Sequence, residues 1–586
     1  MNKPTQKSLF LFYSDLSLTS SSTATWIKFA FYFSLLIYPV IAGYYVLSGD
    51  LDMTRSLGSS ELAWTLAESH RPDFLFNADT WLRHPLALIQ ALHTLIYAYF
   101  PSLDLIKSIL IINIGLMTAS CFFVFHISRY FTTYNIAALS ALLALAGHTP
   151  MLSGITGDST ALAGFFTTLS TLLALKSTNS QSPKIWAIFA GFCLTIATTA
   201  RIEMVFISPV IALLLLSRNN FSCALIYGSI GCSFFIAEEF LAKYILDSHD
   251  AYSSYGNFHL HEGLLSVREW LSMPIFQEGL LGNYPLLISG ITVLSTFICL
   301  AFNRYRFFAL MWLSLVTPVL LSSYLGTILA TRPYYLAGAG IFMSGPIIAL
   351  LDVITRKFIH NRMTFNVQVL VSFILINSLV INTALSIKNS LSTNPTAITA
   401  KKIKNTYIKA ILPGDNFFSD HTYYWSSYFS NHAFSAGADK VYTYLRHCCA
   451  TDEAKLVLGA DDFYRLTKDE SHMVTSLNQK DKQLARLLWG HGFIEKHKPR
   501  FFIILGEKLY KTWQKKPWNT PDTASYIRPY IVHTMNGTEE KVLYIDLKYG
   551  KVEFFLVQKT PEADFILYEA VYKDSSEYQE FAKYLF

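Results

Sequence analysis

Charge is scarce through the first two thirds of this 586-residue chain. Residues 1–387 hold 20 Lys+Arg and 18 Asp+Glu, so 38 of 387 positions, about 10%, are charged. A soluble domain carries about 25%. Residues 388–586 hold the other 27 basic and 23 acidic residues, 50 of 199, which is the ordinary fraction. That division excludes a disordered chain, a disulfide-stapled secreted module and a single-pass receptor. Several motifs are missing as well. There is no G-x-x-x-x-G-K-[ST] phosphate loop, which argues against ATP-driven transport by this chain alone. Neither H-E-x-x-H nor G-x-S-x-G occurs, which removes the zinc-peptidase and serine-hydrolase signatures. Of seven cysteines, five (Cys121, Cys193, Cys223, Cys232, Cys299) lie inside apolar runs and act as small apolar residues. The other two, Cys448 and Cys449, are adjacent and bridge each other poorly, so no structural disulfide is expected.

Long apolar runs are abundant. About 20 apolar residues cross a bilayer core, and they must be helical because lipid offers backbone amides no partner. Such runs fall at about 26–47, 105–127, 134–152, 159–176, 185–200, 204–217 and 221–242, then at about 285–302, 307–328, 334–355 and 366–387. The expected organisation is an N-terminal cytoplasmic segment (1–25), a polytopic α-helical membrane domain of about 11 spans (26–387) and an outer-face α/β domain (388–586). About 25 mixed residues precede the first run without a small-residue cleavage site, so it reads as a signal-anchor.

Short cytoplasmic loops retain Lys and Arg, which fixes orientation. With the N-terminus cytoplasmic, that face collects Lys3, Lys7, Lys28, Arg129, Lys176, Lys184, Arg218, Arg304, Arg306, Arg356, Lys357 and Arg362. Its only acids are Asp15 and Asp352. The opposite face carries Asp50, Asp52, Glu61, Asp158, Glu238, Glu239 and further acids from its loops. An odd number of spans places the C-terminal domain on this acidic outer side.

The first outer loop, about 48–103, begins with Gly49-Asp50-Leu51-Asp52 and Arg55. Carboxylates at the mouth of a membrane helix can deprotonate a hydroxyl or hold a divalent cation near a phosphate. They can also be acids where a helix simply meets water. Residues 86–100, bracketed by Pro85 and Pro101, are too short for a span and read as an interfacial helix. In the second outer loop, Asp158 precedes an apolar helix, as a cap would. Arg201 lies between two apolar runs, where an ionisable group is costly unless paired or wetted. It either pairs with Glu203 at a hairpin turn or receives a lipid phosphate at membrane depth. Arg332, in Thr331-Arg332-Pro333-Tyr334-Tyr335-Leu336, repeats the situation, although Arg and Tyr are also common interface anchors. His259, His261 and Glu262 superficially suggest metal ligands but lack a further ligand at a characteristic spacing; a substrate-covering loop fits better.

A first helix ending in a carboxylate-bearing outer loop, a second Asp in the next outer loop and a terminal outer domain form a recognisable plan. It resembles the GT-C superfamily of integral-membrane glycosyltransferases, broadly the protein-mannosyltransferase, aminoarabinose-transferase and oligosaccharyltransferase group. The local matches are Gly49-Asp50-Leu51-Asp52 with Arg55, Arg83-His84-Pro85-Leu86, Gly157-Asp158-Ser159, Ala200-Arg201-Ile202-Glu203 and Arg332-Pro333-Tyr334-Tyr335-Leu336. The resemblance implies transfer of a sugar from a polyprenyl-phosphate donor to a glycan, lipid or protein acceptor on the outer face, with inversion. Asp50 or Asp52 would activate the acceptor hydroxyl. Asp158, with Arg55, His84 and Tyr334, would shape the cavity. Arg201, supported by Arg332 or Arg83, would stabilise the phosphate leaving group. Some branches use a divalent cation and others do not. Leu51 between the two Asp residues departs from the usual Asp-Glu or Asp-Pro-Asp pattern, so the choice of base stays open.

In residues 388–586, Lys401–Leu412 reads as helix, and Asn416–Ser419, Lys455–Leu458 and Phe501–Leu505 read as strands. Hairpins follow at Asn536-Gly537 and Tyr549-Gly550. Asp415, Asp420, His421, Tyr423, Tyr424 and Trp425 could face the membrane cavity, though clustered aromatics are more often core. No catalytic constellation is visible in this part, which fits acceptor recognition. The expected location is a bacterial inner membrane with the C-terminal domain periplasmic and lipids as surroundings. The net charge of +6 is not a nucleic-acid signal, because it arises from the cytoplasmic Lys/Arg surplus and a mildly basic outer domain. Two other classes remain. A flippase of lipid-linked sugars would usually show internal repeats, and none is found. A non-catalytic scaffold would use the outer domain for binding alone.

Overall fold

The computed structural model describes residues 25–48, 105–147, 160–240, 285–324, 337–358, 362–392, 416–419, 433–434, 500–505, 531–534, 542–545, 554–558 and 565–572. Within them each apolar run forms a helix. These are α1 (Thr25–Ser48), α2 (Leu105–Arg129), α3 (Tyr134–Ala146), α4 (Thr160–Ser177), α5 (Pro183–Ala200) and α6 (Ser208–Ser217). They continue with α7 (Phe221–Phe240), α8 (Pro285–Ala301), α9 (Arg306–Tyr324), α10 (Ala337–Phe358) and α11 (Arg362–Ser392).

The helix α1 shows what surroundings these residues need. Ile27, Phe31, Leu35, Tyr38, Ala42 and Tyr45 recur every three or four positions and are buried. The opposite stripe, Phe29, Phe33, Leu36, Val40, Tyr44 and Leu47, is equally apolar but exposed, Phe29 by 73% and Val40 by 67%. A helix that is apolar all round is either a core helix or a membrane span. One whose second apolar stripe meets no protein is solvated by lipid. Phe221 and Leu225 on α7, Leu294 and Phe297 on α8 and Leu375 on α11 extend the same exposed apolar surface. Among the described residues, Thr25–Leu47 (23 residues) and Leu110–Arg129 (20 residues) are long and apolar enough to cross a bilayer, and shorter apolar helices accompany them. This apolar exterior suits a chain embedded in a bilayer.

Helix α4 packs against α5 and α2, α7 against α5, and α1 against α2 and α11, while α10 bridges α3, α8 and α9. Lipid tails give no hydrophobic reason for helices to associate, so close packing of small residues and interhelical hydroxyl bonds must do so. Both are present. Ser170 on α4 donates to the carbonyl of Ala190 on α5 at 2.8 Å. Ser128, Ser140 and Ser344 form a buried chain across α2, α3 and α10, with Oγ–Oγ distances of 3.3 and 3.4 Å. Asn377 on α11 donates to Ser34 on α1 at 2.7 Å. Cys121, Cys193, Cys223 and Cys299 are buried free thiols, in keeping with their apolar role.

One departure from the expected boundaries has a local cause. The run expected at 204–217 begins as a 3-10 segment, Ile202–Ile207, and becomes α-helical only at Ser208. Pro209 lacks the N–H that an α-turn back to Val205 would need, while its fixed φ suits the start of a new helix. The α6–α7 turn closes on Asn219, whose φ of 55° is left-handed. Asn220 N–H donates to Leu215 O at 3.1 Å and Asn219 N–H to Leu216 O at 2.9 Å, the paired bonds of a Schellman cap.

The seven strands β1 (Asn416–Ser419), β2 (Ala433–Phe434), β3 (Phe501–Leu505), β4 (Ile531–Thr534), β5 (Val542–Ile545), β6 (Phe554–Gln558) and β7 (Phe565–Tyr572) form one sheet in the order β2-β1-β3-β7-β6-β5-β4. Strands β2, β1 and β3 run parallel, and β3 through β7 to β4 pair antiparallel. The expected strands at 416–419 and 501–505 coincide with β1 and β3, and both expected hairpins are antiparallel pairs. Lys401–Leu412, Lys455–Leu458, Cys448, Cys449 and the 415–425 aromatic cluster, apart from β1, lie outside the described residues, as does the 86–100 segment.

Candidate functional site

Helices α4 and α5 are antiparallel partners joined by a short turn. At the turn end, Lys176 Nζ sits 3.6 Å from the centre of the Trp186 ring, and Trp186 Nε1 donates to Ser180 Oγ at 2.9 Å. Cation–π contact of this kind anchors the hairpin where apolar and polar surroundings meet. The other end of the hairpin, about 27 Å away along 18 helical residues, carries the candidate site.

There α5 stops at Ala200. Arg201 is extended, with φ −155° and ψ 111°, yet its N–H still donates to Ala197 O at 2.9 Å. Its own carbonyl accepts from Met204 N–H at 3.0 Å, opening the 3-10 segment. This one extended residue turns the chain and projects its side chain toward the start of α4. Arg201 Nη2 donates to Thr160 Oγ1 at 3.0 Å, and Nη1 lies 3.6 Å from Glu203 Oε1. Both charged side chains are 12% exposed. Thr160 is buried.

A guanidinium in this position is fixed from three directions: by its own backbone bonds, by a hydroxyl on a neighbouring helix and by a carboxylate two residues on. At so little exposure, salt screens the charges weakly and their fields are strong. The Arg–Glu separation exceeds the roughly 2.7–2.9 Å of a charge-assisted hydrogen bond, so the pair is held by charge without a direct bond between these two atoms. Planar guanidinium groups suit phosphate oxygens, which gives this cluster the chemistry of an anion site.

Both readings of Arg201 are therefore physically compatible, since its pair with Glu203 is present beside chemistry that suits a phosphate. Thr160 is the partner that sequence reasoning missed. Its signal was its place two residues after Asp158, at the head of a helix rich in Thr and Ser. Asp50, Asp52, Arg55, Arg83, His84, Asp158, Arg332 and Tyr334 lie outside the described residues, as do His259, His261 and Glu262. Among the described residues no group of three or more His, Cys, Asp or Glu side chains converges as metal ligands would. Asp50 and Asp52, the oxygen ligands that a divalent cation would use, lie outside that search.

A second buried charged cluster lies elsewhere. Arg304, in the turn between α8 and α9, donates from Nε to the carbonyl of Phe131 in the α2–α3 turn. Its Nη2 lies 3.8 Å from Asp352 Oδ2 on α10, and the Tyr305 hydroxyl donates to the same carboxylate. The Phe131 ring stacks on Phe307 with centroids 5.0 Å apart. This cluster ties two turns to helix α10 and is structural. It gives Asp352 its role, as the counter-ion of Arg304.

No protein-family model and no curated protein matches the chain. Among solved structures it is similar to ArnT from Cupriavidus metallidurans in the apo state, with a TM-score of 0.53 at 11% identity, covering 93% of this chain and 97% of ArnT. ArnT from the same organism bound to undecaprenyl phosphate gives 0.51 at 11% identity, over 94% and 98% of the two chains. The archaeal oligosaccharyltransferase AglB from Archaeoglobus fulgidus, in complex with an inhibitory peptide and a dolichol-phosphate, gives 0.45 at 10% identity over 94% and 75%. The likeness to ArnT runs nearly end to end through both the helices and the sheet. In fold the chain resembles the GT-C integral-membrane glycosyltransferases.

Proposed function

We propose that this protein transfers a sugar from a polyprenyl-phosphate donor to an acceptor on the outer face of the membrane. The observation that carries the reading is the Arg201–Thr160–Glu203 cluster. It places a guanidinium at a helix end, nearly shielded from water, in a chain whose fold resembles that of a protein crystallised with undecaprenyl phosphate. A buried cation held at the end of an apolar hairpin suits an anion that arrives attached to a lipid.

In the proposed reaction, Asp50 or Asp52 accepts the proton of the acceptor hydroxyl, whose oxygen attacks the anomeric carbon. The bond from that carbon to the phosphate oxygen breaks, its electron pair stays on the phosphate, and the configuration inverts. Arg201, with Arg332 or Arg83, stabilises the charge gathering on the leaving phosphate. Asp158, Arg55, His84 and Tyr334 shape the cavity. Eleven spans, a cytoplasmic N-terminus and a periplasmic position for residues 388–586 in a bacterial inner membrane complete the proposal, with that part recognising the acceptor.

The test is transfer by purified protein supplied with polyprenyl-phosphate sugars and a panel of acceptors, with and without a chelator. Asp50→Asn or Asp52→Asn should abolish transfer, and Arg201→Ala should lower it at least a hundredfold. Full transfer by both Asp variants would remove the base assignment. Lipid-linked sugar crossing vesicle bilayers with no transfer to any acceptor would establish a flippase instead.

A further inference from the structure

Glu203 sits 3.6 Å from the cation that, on the reading above, receives the donor phosphate, and it shares that cation's low exposure. A carboxylate there opposes the ligand that Arg201 attracts. We propose that Glu203 is a positioning residue that acts through Arg201 to favour release of the polyprenyl phosphate product over the donor. The inference rests on the assignment of Arg201 to the donor phosphate.

The argument is a count of charge. The donor is a phosphodiester and carries one negative charge. After the anomeric C–O bond breaks, the same phosphate is a monoester carrying about −1.5 to −2 near neutral pH. Attraction to Arg201 and repulsion from Glu203 both grow with that charge. Glu203 offsets part of the charge of Arg201 and so lessens the advantage of the more highly charged product. Without it, the added charge created by the reaction would be attracted to Arg201 more strongly, and the product would leave more slowly. One extra unit charge a few ångströms from a cation, at an effective dielectric of about 20, corresponds to at least roughly tenfold in affinity. Thr160 contributes by holding Nη2 at 3.0 Å, so the guanidinium keeps its aim when its other edge exchanges Glu203 for phosphate.

The experiment measures binding of two probes to the full-length protein in detergent: undecaprenyl phosphate, the monoester, and undecaprenyl methyl phosphate, a singly charged diester that needs no knowledge of the sugar. Wild type should bind them within a few-fold of each other. Glu203→Gln should tighten both probes, the monoester by about tenfold more than the diester. In turnover, the same variant should show a lower kcat, a lower KM for donor and stronger inhibition by added monoester. A purely structural role would weaken both probes together and leave their ratio unchanged, which would overturn the proposal. Should Glu203→Gln not yield folded protein, Glu203→Asp retracts the carboxylate by one methylene and should move the ratio part of the way; an unmoved ratio overturns it equally. Arg201→Ala separates the two readings. If it binds the monoester as well as wild type, the Arg201 assignment fails. If it loses both probes while the Glu203 variants leave the ratio unchanged, only the Glu203 inference fails.

Discussion

Arg201 donates from Nη2 to the hydroxyl of Thr160, 41 positions earlier, at 3.0 Å. The bond joins the last residue before a chain reversal to the head of the neighbouring helix, so the aim of the guanidinium depends on how α4 and α5 are docked. Ser170 and the small residues of the α4–α5 contact hold that docking. The site is thus positioned by packing along the whole hairpin as well as by its own members.

Thr160→Val keeps the shape and removes the acceptor. A hydrogen bond to a charged group contributes about 1.5–3 kcal/mol, so thermal unfolding in detergent should shift by that order. Thr160→Ser, which restores the hydroxyl, should recover most of the loss. Transfer should fall with Val and return with Ser; equal stability and activity for all three would show that the bond does not matter.

Asp352→Asn should be among the most damaging single changes outside the site. It leaves the Arg304 charge, 11% exposed, without its carboxylate, and breaking one half of a buried pair costs about 3–5 kcal/mol. Replacing both partners with apolar residues, Arg304→Met with Asp352→Leu, should be milder than Asp352→Asn alone. Chemical denaturation of the three variants gives the ranking, and a double variant worse than the single would refute it.

Two glycines separate packing from backbone effects. A Cβ on Gly191 of α5 would stand 2.9 Å from Ile230 Cβ and 3.2 Å from the Tyr227 carbonyl on α7, neither of which is a flexible side-chain end. Gly191→Ala should therefore destabilise by about 1–3 kcal/mol. A Cβ on Gly228 meets nothing within 4 Å, so Gly228→Ala should be neutral or stabilise by up to about 1 kcal/mol through helix propensity. Comparison of melting temperatures decides the matter.

Asn219 holds a left-handed φ of 55°. Glycine adopts that conformation freely, whereas a β-branched residue is strained there by about 1–2 kcal/mol. Asn219→Gly should match or exceed wild type in thermal stability and Asn219→Val should fall below it. Equal melting of Gly and Val variants would refute the cap.

The helices were legible because each apolar run is solvated by lipid or packed on like residues, and both demand the same composition. Arg201 stood out because charge is rare there. Its companion Thr160 did not, since α4 also offers Thr167, Thr168, Ser170 and Thr171, and only three-dimensional docking selects among hydroxyls. Asp352 looked like an exception to a basic face, because its partners Arg304 and Tyr305 are nearly fifty positions away. The start of α6 was misplaced by treating residues 204–207 as ordinary helix, although Pro209 carried the warning. Strands β1 and β3 were readable from short β-rich runs, whereas the union of parallel and antiparallel halves is a long-range pairing that no local pattern encodes.

That union has a consequence for how the protein is made. Strand β3 pairs on one side with β1 and on the other with β7, the last strand of the sheet in chain order. Among the described strands, only residues 565–572 join the β1–β3 group to the β4–β6 group, and they are made after both. The hydrogen-bonding edge of Phe501–Leu505 must wait through the synthesis of about sixty residues, open to any other strand that reaches it. A chaperone that shields this edge during synthesis, or a pause before β7, would govern yield without touching a single residue of the site.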